Sequence, residues 1–131
     1  MNRVLFVDHV DRILGGAEIN LLELLGSSSV RERWTVTCAV HPGSRLSQAL
    51  SEIGVHQREY YLPPALSTLR LVGRRFPFIE SLRGLSALRA ARRALGKIIA
   101  EFNPEIVVSC TNKDHFCAAS ACRQRAMPSV W

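Results

Sequence analysis

The apolar positions of this chain fall into two alternating patterns. Short unbroken runs occur at residues 4–7 (Val-Leu-Phe-Val), 35–40 (Thr-Val-Thr-Cys-Ala-Val), 57–61 and 105–110. A strand with one wet face alternates apolar and polar residues. Runs without that alternation predict strands covered on both faces, as in a parallel sheet. A fifth such strand begins at Ser129-Val130-Trp131. Between the runs the period lengthens to that of a helix. Residues 17–25 bring Leu21, Leu22, Leu24 and Leu25 toward the sheet. Residues 44–53 open on a serine cap, carry Leu46, Ala49, Leu50 and Ile53 on one face, and stop at Gly54. Residues 86–102 carry the stripe Leu88, Leu95, Ile98, Ile99 and Phe102 and end at Asn103-Pro104; residues 113–125 offer Phe116, Ala119 and Ala121 for packing.

Strand and helix alternating at this spacing predict βαβ units in a doubly wound α/β fold. The 131 residues are expected to form a single domain, long enough to bury a core. One stretch is irregular. Residues 62–84 contain Pro63-Pro64, Arg74-Arg75 and Phe76-Pro77-Phe78-Ile79, and a connection of that length in a compact domain is usually functional or mobile.

The first strand runs through Asp8 and His9 into Gly15-Gly16 and then a helix. Such a turn lets backbone N–H groups approach a ligand and sets the positive end of a helix beside it, which suits a phosphate or another anion. A plain strand-to-helix turn is written the same way, and both readings stand. The motif is neither a GxGxxG fingerprint nor a Walker loop, since the Gly96-Lys97 pair is followed by Ile98.

Charge changes the picture in one place. Between Arg70 and Lys97 there are eight basic residues (Arg70, Arg74, Arg75, Arg83, Arg89, Arg92, Arg93, Lys97) and one acid, Glu80. Of the 17 Lys and Arg and the 11 Asp and Glu, that leaves nine and ten for the rest of the chain, so the net +6 belongs to one segment. Arg89, Arg93 and Lys97 recur every fourth residue beside an apolar helix face. Together with Arg74, Arg75 and the Phe76–Phe78 loop they form a candidate surface for anionic lipid or an acidic acceptor. A solvated helix flank is the plain alternative. Nucleic acid is not expected as a partner, because stacking aromatics are scarce and no RNA-binding motif occurs. No apolar run reaches membrane-span length and the N-terminus has no signal-peptide pattern, so the expected location is cytoplasmic, peripheral at the inner face of the membrane. Cys38, Cys110, Cys117 and Cys122 form no CxxC pair and are expected as reduced core thiols.

Ligands of parallel sheets bind at the carboxyl ends of the strands. That edge is expected to gather Asp8, His9 and the Gly15-Gly16 turn, then His41-Pro42-Gly43, then Ser109, Thr111, Asn112 and Lys113. His9 is a candidate base, although a histidine at a strand end more often makes a structural hydrogen bond. Lys113 is placed to meet a phosphate or to stay solvated. Glu18, in the first helical turn, complements the helix dipole or contacts a ligand hydroxyl. Asp8 and Asp11 do not make a DxD motif, so no metal requirement is evident. His115 and Cys117, two apart on a helix, diverge and make a poor nucleophile pair.

The ordered set of motifs resembles a known family. A short first strand, Gly15-Gly16-Ala17-Glu18 opening a leucine-rich helix, the strand at Trp34–Val40, Asn103-Pro104-Glu105-Ile106-Val107-Val108-Ser109-Cys110-Thr111-Asn112, a helix, and Met127-Pro128-Ser129-Val130-Trp131 are similar to the N-terminal domain of the retaining glycosyltransferases of family 4. Those enzymes have the two-domain GT-B fold. The resemblance covers essentially the whole chain. It implies a Rossmann-like three-layer α/β/α domain with a parallel sheet, one half of a GT-B fold. It implies an acceptor-binding half that closes over a nucleotide-sugar donor, with Gly15 and Gly16 near the donor diphosphate and Asp8, His9, Glu18, Thr111, Asn112 and Lys113 as acceptor-cleft candidates. The partners implied are the nucleotide sugar as cosubstrate, a glycan or lipid-linked acceptor, and a separate C-terminal donor-binding half. No other cofactor is implied. The second domain, with most nucleotide-sugar contacts, is not among these residues, so the chain alone is expected to be inactive. The competing expectation is a non-catalytic Rossmann-like binding module, or a partner subunit of a separate catalytic protein.

Overall fold

The computed structural model describes residues 2–11, 14–67 and 78–131, with the side chains of 78–81 outside the description. Arg70, Arg74, Arg75 and Phe76, and the side chains of Phe78 and Ile79, therefore lie outside the described residues. Five strands form one sheet in the order β3-β2-β1-β4-β5, every neighbouring pair parallel. The strands are β1 (Asn2–Asp8), β2 (Trp34–Val40), β3 (His56–Glu59), β4 (Ile106–Ser109) and β5 (Ser129–Val130). The helices are α1 (Gly16–Gly26), α2 (Ser28–Arg33), α3 (Arg45–Glu52), α4 (Pro64–Ser67), α5 (Phe78–Phe102) and α6 (Asn112–Arg123).

The lack of alternation in the strands has the expected cause: both sheet faces are covered. Leu5 and Val7 of β1, Ala39 of β2 and Val107 of β4 pack against Ala91, Leu95, Ile98 and Ile99 of α5 and Cys117, Ala118, Ala121 and Cys122 of α6. On the other face Cys38 and Val40 meet Leu21 and Leu25 of α1 and Leu46 and Leu50 of α3, with Phe6 packed alongside. The result is the three-layer α/β/α Rossmann-like fold, with β1 central. At roughly 1.5–3 kcal/mol per buried large side chain, these two layers are the main term holding the sheet closed.

Local sequence sets the element ends. Ser44 accepts a hydrogen bond from Ser47 N–H at 3.0 Å and caps α3. Gly54, at φ 71°, ends it in a left-handed turn. Asn103, at φ 50°, ends α5, and Pro104 prevents its continuation.

Several expectations need correction. Leu24 is 47% exposed instead of facing the sheet, because the edge that α1 buries is that of Glu18, Leu21 and Leu25. Phe116 is 70% exposed; the core side of α6 is made of Cys117, Ala118, Ala121 and Cys122, small residues that let α6 approach α5 and the sheet. The third strand covers His56–Glu59, while Tyr60 is buried and Tyr61 is 56% exposed. α5 begins at Phe78, not Ser86, and α4 lies within the stretch expected to be irregular. α2 escaped notice because it has no buried residue and hence no apolar period. Its Arg31 nevertheless fastens two helix ends, with Nε donating to Leu25 O at 2.9 Å and Nη2 to Ile53 O at 2.6 Å. Among the described residues, no helix is long and apolar enough to cross a membrane.

Candidate functional site at the carboxyl edge of the sheet

β1 and β4 are adjacent, and both end at the same edge. Successive residues leave β1 on opposite faces, so Asp8 and His9 part company. His9 turns to α6. Its Nδ1 lies 3.0 Å from Asp114 Oδ2, and its backbone N–H donates to the same oxygen at 3.2 Å. Thr111 holds that carboxylate in place. The Thr111 hydroxyl donates to Asp114 Oδ2 at 2.8 Å, and its oxygen accepts from the Asp114 N–H at 3.2 Å as the cap of α6. Asp114 is wholly buried and His9 keeps 17% of its side chain exposed. Burial opposes charge on His9, but the Asp114 hydrogen bond and the charges of Asp114 and Asp8 outweigh it and raise the imidazole above its ordinary value. With Nδ1 committed to Asp114, Nε2 is the nitrogen left to act on something else. Asp114 was not singled out from sequence. Its signal was the Thr-x-x-acid pattern of Thr111 to Asp114, which marks a capped helix start.

Asp8 is 1% exposed. Its Oδ1 accepts from Val10 N–H at 2.9 Å, and its Oδ2 has no hydrogen-bond partner among the described residues. Burial first, and then the nearby charges of Asp114 and Glu18, push its carboxyl up to about 6. Glu18, 5% exposed, reaches back and accepts from the Gly15 N–H. The helix-dipole reading of Glu18 is thus realised as a cap, and the Gly15 donor is occupied by the chain's own carboxylate. Contact with a ligand hydroxyl would require Glu18 to leave it. The two glycines also differ in their surroundings. A Cβ at Gly15 would stand 2.8 Å from Glu18 Oε2, whereas a Cβ at Gly16 would meet nothing within 4 Å. Gly16 is therefore the open side of the turn.

Lys113 donates from Nζ to Ser67 O at 2.5 Å, tying α6 to the end of α4. Asn112 is exposed beside it. Ser109 Oγ donates to Val130 O at 3.1 Å, so His115 Nδ1, also 3.1 Å away, must donate to Ser109. That leaves Ser109 a structural hydroxyl. His41 lies edge-on to Tyr61, ring centroids 5.1 Å apart. It borders an open hollow of about 370 Å³ lined by Pro42, Gly43, Ser47, Gln57 and Glu59. Arg89, Arg93 and Lys97 stand apart from this edge cluster, exposed along α5. Among the described residues no group of three or more His, Cys, Asp or Glu side chains is placed to hold a metal ion. The four thiols are free, and burial raises each of them, Cys38 to about 12, which leaves them unreactive near neutrality.

No protein-family model and no curated protein matches the chain. Solved structures do. Acinetobacter baumannii MurG aligns with a TM-score of 0.64 at 10% identity, over 98% of this chain and 34% of its own. Anabaena Alr3699/HepE, solved in complex with UDP and glucose, aligns with a TM-score of 0.59 at 15% identity, over 98% of this chain and 28% of its own. A deacetylase from the teicoplanin biosynthesis pathway aligns with a TM-score of 0.60 at 16% identity, over 98% of this chain and 65% of its own. The chain thus has the Rossmann-like fold found in GT-B glycosyltransferases, and it spans about a third of the length of MurG and HepE.

Proposed function

We propose that this chain is the acceptor-side, N-terminal half of a nucleotide-sugar-dependent glycosyltransferase similar to family 4, inactive without a donor-binding half. The observation that carries the reading is the His9–Asp114 pair at the edge where the open Gly16 turn enters α1. The fold shared with GT-B enzymes, one of them solved with UDP and glucose, supports a nucleotide-sugar donor. The acceptor is a glycan or a lipid-linked hydroxyl compound.

Transfer forms a bond between an acceptor oxygen and the anomeric carbon and breaks the bond from that carbon to the diphosphate. The nucleoside diphosphate leaves, and the hydroxyl proton needs a base. His9 Nε2 takes it, while Asp114 orients the ring and stabilises the imidazolium. The N-terminus of α1 at Gly16 meets the diphosphate charge, and Lys113 joins it by leaving Ser67. Asn112 and Thr111 border the acceptor. The half-site alone neither orients the donor nor excludes water, which is why it is inactive. The family resemblance implies retention of anomeric configuration. A base acting on the acceptor favours a second reading, direct displacement with inversion, and proton NMR of the product separates the two.

The test is nucleotide release from a panel of UDP- and GDP-sugars, by the 131-residue chain alone and by the chain joined to a donor-binding half. Release only by the joined protein is expected, with loss in His9→Ala. Turnover by the chain alone overturns the half-enzyme reading. Silence of a folded joined protein favours the non-catalytic module.

A further inference from the structure

α5 carries a surface that the cleft does not use. Its inner side is Ala87, Ala91, Leu95, Ile98 and Ile99, all buried. The helical repeat places Leu82, Leu85, Arg89, Arg93 and Lys97 on the opposite side, and each is exposed. Leu82 and Leu85 are 54% and 46% exposed, although α5 has ample apolar surface of its own facing the core. Arg83 is exposed next to them. From Leu82 onward the helix carries no acid until Glu101, which lies 4.0 Å from Lys97. The face is therefore apolar at one end and basic along the rest.

Its orientation follows from the connections. α5 hands over to β4 at the amino edge of the sheet and so begins toward the carboxyl edge. The exposed leucines stand on the same side of the domain as His9 and Asp114.

We propose that this face of α5 docks the protein on an anionic lipid bilayer. Leu82 and Leu85 enter the headgroup boundary. Arg89 and Arg93 lay their methylene stems along it and hold lipid phosphates with their guanidinium groups, and Lys97 adds long-range attraction. Exposed leucines within a basic stripe distinguish this surface from a nucleic-acid groove. Phosphate binding along a strand gains nothing from them, and no exposed aromatic ring interleaves the basic residues among the described side chains of α5. The inference goes beyond the transfer reaction and does not need it.

The experiment is cosedimentation of the 131-residue chain with neutral phosphatidylcholine vesicles and with vesicles containing phosphatidylglycerol, from 50 to 500 mM salt. Binding to the anionic vesicles alone, weakening with salt, is expected. Arg89→Glu/Arg93→Glu/Lys97→Glu should lower the partition coefficient about 100-fold. Leu82→Ser/Leu85→Ser should lower it about tenfold with the net charge unchanged. Should the reversal variant lose its circular-dichroism melting transition, Arg89→Gln/Arg93→Gln/Lys97→Gln replaces it. A control, Arg33→Glu/Arg45→Glu/Arg123→Glu, makes the same charge change elsewhere on the surface and should bind within a few-fold of wild type. Equal binding to neutral vesicles overturns the proposal, as does no binding at 50 mM salt. A control as weak as the α5 variant, or tighter binding to a single-stranded RNA oligonucleotide than to anionic vesicles, overturns it too.

Discussion

Nδ1 of His9, one residue past the end of β1, lies 3.0 Å from Oδ2 of Asp114 in the first turn of α6, 105 residues further along the chain. A parallel sheet with β1 beside β4 makes that meeting possible. The pair fixes which imidazole nitrogen is free, and it raises the basicity of the ring.

Asp114→Asn should lower the pKa of His9, since it removes the hydrogen-bonded negative charge that overcomes burial. Titration of the His9 ring protons by NMR reads this without any activity. An unchanged titration would remove Asp114 from its positioning role. In a protein joined to a donor-binding half, His9→Ala should lower kcat by roughly 100-fold or more.

The two glycines should separate in their effects. Gly15→Ala sets a Cβ against Glu18 Oε2 and displaces the cap, costing about 1 kcal/mol in urea unfolding. Gly16→Ala has open space and should be neutral or stabilising by up to about 1 kcal/mol. Gly16→Val in the joined protein should nonetheless lower transfer on the order of 100-fold, by moving the diphosphate off the turn. Equal activity would return the glycines to a plain turn.

Asp8 should make stability fall as pH rises. Its carboxyl sits at about 6 in the folded protein against 3.8 in the unfolded chain. Well below pH 3.8 it is protonated in both states and costs nothing. Above pH 6 the folded state must hold a buried charge that the unfolded state leaves in water. His9, raised above its unfolded value, acts in the same direction: its contribution is complete below the unfolded pKa of 6.5 and lost as pH rises through the folded one. Asp8→Asn should therefore gain about 3 kcal/mol over wild type at pH 8 and less than about 1 kcal/mol at pH 4. Parallel urea midpoints for the two proteins across that range would refute the assignment.

Leu95→Ala should cost about 2–5 kcal/mol, because Leu95 is fully buried between α5 and the sheet. Phe116→Ser should stay within about 0.5 kcal/mol of wild type despite the larger side chain, because Phe116 faces solvent. A large loss from the phenylalanine change would mean that α6 packs by a different face.

The chain's own residues dictate the layer architecture. Val4–Val7 and the run around Thr37–Val40 are apolar without alternation, a pattern that only a strand buried on both faces tolerates. The serine cap at Ser44 and the stop at Gly54 are local backbone chemistry, and they appear where the sequence places them. Sequence also marked the edge that holds the candidate site, since Asp8 closes the first strand, and His9, the Gly15-Gly16 turn and Thr111 lie in the connections that leave strands for helices. It was silent about partners. Glu18 lies three residues from Gly15, yet its commitment to that N–H depends on a side-chain conformation that composition does not reveal. Lys113 reads as a free cation until α4 brings Ser67 O against it. Leu24 and Phe116 look like core residues because hydrophobicity says what a side chain prefers, while helix rotation relative to the sheet decides which side chains are covered. The His9–Asp114 pair was the least legible of all: neither residue is unusual in its own segment. What unites them is strand order, a property set by long-range packing and absent from any local stretch of the chain.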